Sequence, residues 1–133
     1  MDFKNLFEQF NQNGELVLSN NRPSVSFNNL AWNKHPQFEG VELKHLITSK
    51  ETNGEFSYHL VKIAPNKKIG LHTHKTQLET HEIIAGSGIC INDGTKINYN
   101  PGVISILEKD TPHEVTASDD GLFIFAKFIP ALC

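Results

Sequence analysis

From Gly14 onward, apolar and polar residues alternate along the chain, and residues that favour turns recur at short intervals. Alternation with a period of two predicts β-strands that bury one face. Because no helical pattern separates these segments, the chain is predicted to fold as an antiparallel all-β sandwich or barrel. The predicted strands cover residues 15–18, 24–27, 41–49, 56–64, 69–74, 78–85, 88–92, 95–99, 103–107, 113–117 and 122–129.

The first residues follow a helical pattern instead. Their apolar side chains are spaced as on one face of a helix, and Asp2 in front of them is a suitable N-cap. We predict a short amphipathic helix over residues 2–11, within an N-terminal segment of residues 1–13, that packs against the barrel wall. The apolar face of this helix comprises Phe3, Leu6, Phe7 and Phe10.

Several turns can be placed from their residues. Asn53-Gly54 is a pair favoured in two-residue hairpin turns, where both central residues need a positive φ. Such a turn would pair Thr48 with His59, and alternation would put His45 and His59 on opposite faces. At most one of these two histidines would then point into a barrel. Further turns are predicted at Asp93-Gly94, at Asn100-Pro101-Gly102 and over residues 118–121.

Length, composition and charge narrow the range of functions. The chain has 133 residues, enough for one domain, and 38% of them are hydrophobic, as in globular proteins. The formal net charge is −3 and the basic residues are scattered, so no basic surface for nucleic acid is predicted. No nucleic-acid partner is therefore expected.

The sequence also favours a cytoplasmic location. The most apolar stretch, residues 122–132, contains Lys127 and Pro130 and is too short to cross a bilayer, so no membrane partner is expected. The first ten residues lack the apolar core of a signal peptide. Two cysteines, Cys90 and Cys133, are too few for the disulfide framework of a secreted domain and are expected to be free thiols.

Candidate chemistry is concentrated between residues 66 and 86. His72 and His74 are two apart, so on a strand their imidazoles share one face and could bind one ion. Glu79 can face the same interior from the next strand, and His113 is a fourth candidate that only tertiary structure could bring near. Glu82 competes with Glu79 as the carboxylate ligand, but choosing it would shift the strand by one residue and move apolar side chains out of the core.

Both halves of this pattern resemble the signature motifs of the cupin superfamily. The first motif is Gly, five residues, His-x-His, three or four residues, Glu, six residues and Gly, and residues 66–86 match it except that Asn66 replaces the first glycine. Asn is the next most suitable residue at a positive φ. In the second motif, residues 102–117 keep the spacing and His113. Its other signature positions carry Glu108 for proline, Asp110 for glycine and Ala117 for asparagine.

The resemblance implies a double-stranded β-helix, or jelly-roll barrel, forming a single cupin domain over residues 1–133 with its core at residues 56–129. It also implies one divalent transition metal held by His72, His74, Glu79 and His113. Fe, Mn, Ni, Cu, Co and Zn all suit such ligands. Small cupins often form homodimers, which we expect here.

Two functions follow from this resemblance. The first is a metal-dependent enzyme, of the dioxygenase, isomerase or lyase type, acting on a small organic molecule. The alternative is a non-catalytic cupin that binds a small ligand such as a sugar or an organic acid.

Alternation places His81 inside the barrel beside Glu79. It could act there as a general acid or base, or serve as a packing residue hydrogen-bonded to its neighbours. His35 is expected in a surface loop, and Trp32 and Phe38 in the core or an interface. The apolar wall of the site is predicted to comprise Leu71, Ile83, Ile104, Ile106, Phe123 and Phe125.

Overall fold

The computed structural model describes residues 2–133; Met1, the first residue of the predicted N-terminal segment, lies outside them. Within these residues there are two α-helices, α1 at Phe3–Asn13 and α2 at Ser49–Thr52, and a single 3-10 turn at Phe27–Asn29. None of the described helices is long and apolar enough to cross a membrane. The strands are β1 Glu15–Leu16, β2 Val25–Ser26, β3 Asn33–Lys34, β4 Val41–Ile47, β5 Ser57–Ile63, β6 Lys68–His72, β7 Leu78–Asn92, β8 Thr95–Tyr99, β9 Ile104–Leu107 and β10 His113–Ile129.

The strands form an antiparallel jelly roll, as predicted. The main sheet has the order β3-β4-β5-β10-β7-β8, with β6 pairing to β10 and β9 pairing to β7. The two long strands, β7 and β10, pair with each other along most of their lengths. Each of them therefore contributes to both halves of the barrel, and the side chains on their inner faces line one continuous interior.

The turn predicted over residues 118–121 is a bulge within β10 rather than a break between two strands. The register against β7 shifts between Ala117 and Leu122, which face Gly88 and Gly86. Gly86 has φ +75°, and a Cβ there would overlap the carbonyl oxygen of Gly121. The close approach of the two backbones at the bend explains the glycine at this motif position.

Helix α1 packs on the outer face of the sheet. The Asp2 side chain accepts hydrogen bonds from the backbone N–H groups of Lys4 and Asn5, which confirms the predicted N-cap. Phe7 is fully buried, whereas the other predicted apolar positions stay partly exposed. The cluster under the helix comprises Phe7, Phe27, Leu46, Leu60, Ile84, Ala85 and Phe125.

The turn predicted at Asn53-Gly54 forms, with both residues at positive φ and the N–H of Glu55 donating to the carbonyl oxygen of Thr52 at 3.2 Å, but the strand pairing predicted from it is wrong. Thr48 and Glu51 form a capping box that starts α2, and Asn53 ends this helix in the left-handed region at φ 54° and ψ 39°. The helical turn removes residues 49–52 from the strand, so the register of β4 against β5 changes. His45, not Thr48, lies opposite His59, and both histidines point into the barrel.

Candidate metal centre

Four predicted residues meet at one end of the barrel. His72 ends β6, His74 follows it, Glu79 lies near the start of β7, and His113 begins β10. His113 is distant in sequence, but β10 pairs antiparallel with β6 in a register that puts it opposite His72. The topology thus brings the fourth candidate beside the first three.

The side chains converge on one point. The Oε1 atom of Glu79 lies 3.4 Å from Nε2 of His113 and 3.6 Å from Nε2 of His74. The ring centroids of His72 and His113 are 4.3 Å apart. One nitrogen or oxygen atom from each of the four residues lies within 4.8 Å of all the others. This spacing is suited to a single ion bound by all four.

Two atoms at the centre of this cluster are buried without a hydrogen-bond partner: Oε1 of Glu79 and Nε2 of His113. The Nδ1 of His72 donates to the carbonyl oxygen of Gly70 at 2.7 Å, and that of His113 donates to the carbonyl oxygen of Thr111 at 3.2 Å. A carbonyl can only accept, so Nε2 of both rings carries the lone pair toward the cluster. Bonds of this kind orient metal-binding histidines in proteins, and the donor set fits a divalent transition metal.

The electrostatics of the cluster also suit a cation. Burial lowers the pKa of His72 and of His74, so both imidazoles are neutral and can act as ligands at neutral pH. Burial alone would raise the pKa of Glu79, but the nearby imidazoles of His81 and His113 outweigh it and hold that pKa well below the usual range. The carboxylate is therefore ionised, which places a buried negative charge in the middle of the cluster.

His81 faces inward as predicted and is hydrogen-bonded at both ring nitrogens. Its Nε2 donates to Oε2 of Glu79 at 2.7 Å, and its Nδ1 lies 2.9 Å from the hydroxyl of Tyr99. Tyr99, His81 and Glu79 thus form a buried chain that fixes the carboxylate. Glu82 points away from the cluster and accepts a hydrogen bond from Tyr58, so it lies outside the site.

The cluster opens into a cavity of about 310 Å³. Such a volume is at the lower end of the range for small-molecule sites. Its apolar wall is formed by Leu43, Val61, Ile69, Ile124, Ala126, Phe128 and Leu132.

The predicted apolar wall is mostly wrong. Leu71, Ile104 and Ile106 are at least 60% exposed on the outside of the barrel. Phe123 and Phe125 pack toward α1, and Ile83 faces inward as expected but lies in the interior core. In β9 the inward and outward faces were exchanged, because Ser105 and Leu107 are buried in place of Ile104 and Ile106.

Sequence reasoning put His45 and His59 on opposite faces of the sheet, whereas the structure brings them together at the wall of this cavity. His45 lines the cavity, and its Nδ1 lies 2.8 Å from Nδ1 of the fully buried His59. The signal that could have revealed their contact is the Thr48-x-x-Glu51 capping box, which indicates a helical turn at that place and excludes the pairing of Thr48 with the next strand.

His35 is not simply a surface residue. It is half-buried at the rim of the cavity, beside Asn33 and Lys34. Its Nδ1 accepts hydrogen bonds from the backbone N–H groups of Gln37 and Phe38 at 3.1 and 3.3 Å. The ring is held by these bonds with its Nε2 as the remaining donor.

The comparison with protein families decides the classification. A model of the cupin domain matches residues 59–125, about half of the chain. The chain belongs to the cupin family. The match spans β5 to most of β10 and includes all four clustered residues of this cupin.

Individual relatives are distant. An oxalate-binding protein of Thermotoga maritima is 22% identical over 76 residues, which cover 56% of this cupin and 63% of the relative. The matched part thus spans less than two thirds of that curated relative.

Similar solved structures share the fold. The crystal structure of a protein described as a predicted oxalate decarboxylase, also from Thermotoga maritima, has a TM-score of 0.71 at 19% identity and covers 77% of this chain and 95% of that one. The polyketide cyclase RemF of Streptomyces resistomycificus has a TM-score of 0.68 at 14% identity, covering 86% and 80%. Proteins with this barrel therefore carry different names, and the fold alone does not indicate an activity.

Proposed function

We propose that His72, His74, Glu79 and His113 hold one divalent transition metal, and that this cupin is a metal-dependent enzyme acting on a small organic molecule. The observation that carries the proposal is the pair of buried, unpartnered atoms, Glu79 Oε1 and His113 Nε2, in the middle of the cluster. Buried polar atoms without partners cost free energy of about 1–3 kcal/mol each. A bound cation would remove that cost.

Three imidazoles and one carboxylate leave two positions free on a six-coordinate ion. Such positions separate a reactive centre from a closed structural one. Fe, Mn, Ni, Cu, Co or Zn would polarise a substrate oxygen there. The reaction types that fit are those of a dioxygenase, an isomerase or a lyase, on a substrate that places oxygen atoms at the cluster and its apolar part against the wall that includes Phe128.

For His81 we propose a positioning role through Glu79. Both of its ring nitrogens are already hydrogen-bonded, to Glu79 and to Tyr99, so it has no free atom to offer a substrate. Its action as a general acid or base would require one of these bonds to break during the reaction.

The alternative function is non-catalytic binding of a small organic acid. It is favoured by the similarity to a protein named for binding oxalate. A dicarboxylate could occupy both free positions of the ion. If metal-loaded protein binds oxalate in a calorimetric titration and the acid is recovered unchanged after prolonged incubation under air, the binding function is favoured over the enzymatic one for that ligand.

The first experiment is metal analysis by plasma mass spectrometry on untagged protein after anaerobic reconstitution. We expect the His72→Ala/His113→Ala variant to contain one metal equivalent less than the wild type. His35→Ala is the matched control, because this histidine is at the rim and outside the cluster. Equal metal content in all three proteins would contradict the proposed site.

Two further proposals concern the cellular location and the oligomeric state. We propose a cytoplasmic protein, because Cys90 and Cys133 are both free, as expected in a reducing compartment. We also propose a homodimer, because Leu6 and Ile104 are exposed beside a shallow apolar groove between α1 and β9. Light scattering coupled to gel filtration tests this, and a monomer at micromolar concentration would contradict it.

A further inference from the structure

A second group of ligand-type residues lies outside the centre described above. His45, His59 and Cys133 each offer one atom, and these three atoms lie within 4.8 Å of one another. His59 is fully buried, His45 is half-buried on the cavity wall, and Cys133 is exposed. The cluster is therefore anchored in the barrel and open to solvent on the side of the thiol.

Cys133 is held in this place by backbone hydrogen bonds. Its carbonyl oxygen accepts from the backbone N–H of Ser49 at 2.7 Å. The preceding N–H, of Leu132, donates to the hydroxyl of Ser57 at 2.8 Å. The same hydroxyl lies 2.8 Å from Nε2 of His59. One buried serine thus ties the strand that carries the histidine to the segment that carries the thiol.

We propose that His45, His59 and Cys133 bind a second metal ion, of the zinc class, with solvent in the fourth position. A thiolate with two imidazoles is a donor set that Zn²⁺ and Cu⁺ prefer. Tetrahedral bonding at the usual lengths requires the ligand atoms to be about 3.3–3.6 Å apart. The two Nδ1 atoms, now 2.8 Å apart, must separate by about half an ångström, which the half-buried ring of His45 can provide.

The hydrogen bond between His59 and Ser57 suits a metal-binding histidine. The hydroxyl of Ser57 can accept from Nε2–H or donate to a bare Nε2, so either tautomer of the ring is supported. With Nε2 protonated toward the serine, Nδ1 presents its lone pair to the ion. Partners of this kind orient metal-binding histidines and raise their basicity.

The pKa values of the two histidines also suit metal binding. Burial lowers the pKa of His45, and burial with the neighbouring His45 lowers the pKa of His59 to about 4. Both rings are therefore neutral ligands near pH 7. Burial raises the pKa of the Cys133 thiol, so the ion must displace its proton, and binding should strengthen as the pH rises.

This site is separate from the first centre. The two groups share no residue, and the ring of Phe128 contacts one histidine of each, with centroid distances of 5.5 Å to His59 and 5.2 Å to His74. The two sites also differ chemically, since only this one contains sulfur. A sulfur-specific signal can therefore report on it alone.

The test is a titration of the metal-free protein with Co²⁺, followed by the near-ultraviolet charge-transfer absorption that arises when a thiolate binds cobalt. We expect two equivalents in the wild type, with the sulfur band, and displacement of the band by Zn²⁺. Cys133→Ser should lose the band and one equivalent. Cys90→Ser is the matched control and should keep both, because Cys90 is buried in the core away from this cluster.

The outcomes separate this site from the proposed function. If the band persists in His72→Ala/His113→Ala while one equivalent is lost, both sites exist. Absence of the band in the wild type, or its persistence in Cys133→Ser, overturns the second site and leaves the first proposal standing. Circular dichroism verifies folding, and since Cys133 is exposed its substitution should not unfold the barrel.

Discussion

The contact between His81 and Glu79 allows a sharp test of how the centre is organised. The Nε2 atom of His81 donates to Oε2 of the carboxylate at 2.7 Å, in a buried setting. His81→Gln places an amide N–H near the position of Nε2 and keeps this donor. His81→Asn places its amide near the position of Nδ1, so it retains a partner for Tyr99 and loses the donor to Glu79.

The magnitude follows from the charge on the carboxylate. A hydrogen bond to a buried charged group contributes about 1.5–3 kcal/mol, and loss of such a supporting bond typically weakens metal binding about 10–100-fold. A loss of 10–100-fold is about 1.4–2.7 kcal/mol of binding free energy, so the two figures agree. We therefore expect His81→Asn to weaken metal binding about 10–100-fold, and His81→Gln to remain within about threefold of the wild type.

The assay is competition against a chromophoric chelator, carried out in a Cys133→Ser background so that only the first centre is titrated. Binding by His81→Asn within about threefold of the wild type would refute the positioning role. So would an equal loss in both variants, because His81→Gln keeps the donor. If a substrate is found and His81 acts as a general acid or base, His81→Gln should abolish turnover although it retains the metal.

Two further predictions concern stability. Because the pKa of His59 is about 4 in the folded state against 6.5 in the unfolded state, only the unfolded chain binds this proton between those pH values. The contribution of His59 to the free energy of unfolding is fully present above pH 6.5. It falls by about 3 kcal/mol as the pH drops to 4 and then levels off. In urea unfolding of the metal-free proteins, His59→Gln should lose less stability than the wild type as the pH drops from 6.5 to 4. Parallel pH profiles for His59→Gln and the wild type would contradict the prediction. Gly86→Ala should lower the free energy of unfolding by about 2–5 kcal/mol, because it adds a clash with the Gly121 carbonyl to a positive φ. Gly94→Ala is the control, since Gly94 has φ +82° in open space, and it should lower the free energy of unfolding by about 1–2 kcal/mol. Equal losses in chemical denaturation would refute the role assigned to the backbone contact.

The residues predicted best are those whose placement depends on local geometry. His72 and His74 follow from their spacing at the end of β6, Glu79 follows from alternation in β7, the next strand along the chain, and the structure brings all three together. Asn66 replaces the first glycine of the cupin motif and has the positive φ expected of that position, at 62°. Each of these features is determined by a few consecutive residues, so the sequence contains the information directly.

The position of His113 needed more than local pattern. Its approach to His72 depends on the pairing of β10 with β6, which joins residues about forty positions apart. Only the match to a family motif predicted it. In β9, by contrast, the alternation was ambiguous, because Ile104 and Ile106 are as apolar as Leu107 and the buried Ser105 is polar. Ser105 lies opposite His81 and is buried without a hydrogen-bond partner for its hydroxyl, so hydrophobicity alone could not have indicated its inward position.

The pairing of His45 with His59 shows how one extra residue changes the chemistry of a cavity. The register of β4 against β5 shifts between His45 and Ile47, so Leu46 is an extra residue on its strand. Leu46 is buried in the cluster under α1, and this packing favours the bulge. A period-two pattern cannot reveal such a shift, because both the bulged and the regular strand contain the same residues in the same order. Packing on the outer face of the sheet thus decides which histidines face each other on the inner face, and the second metal site proposed here depends on that register.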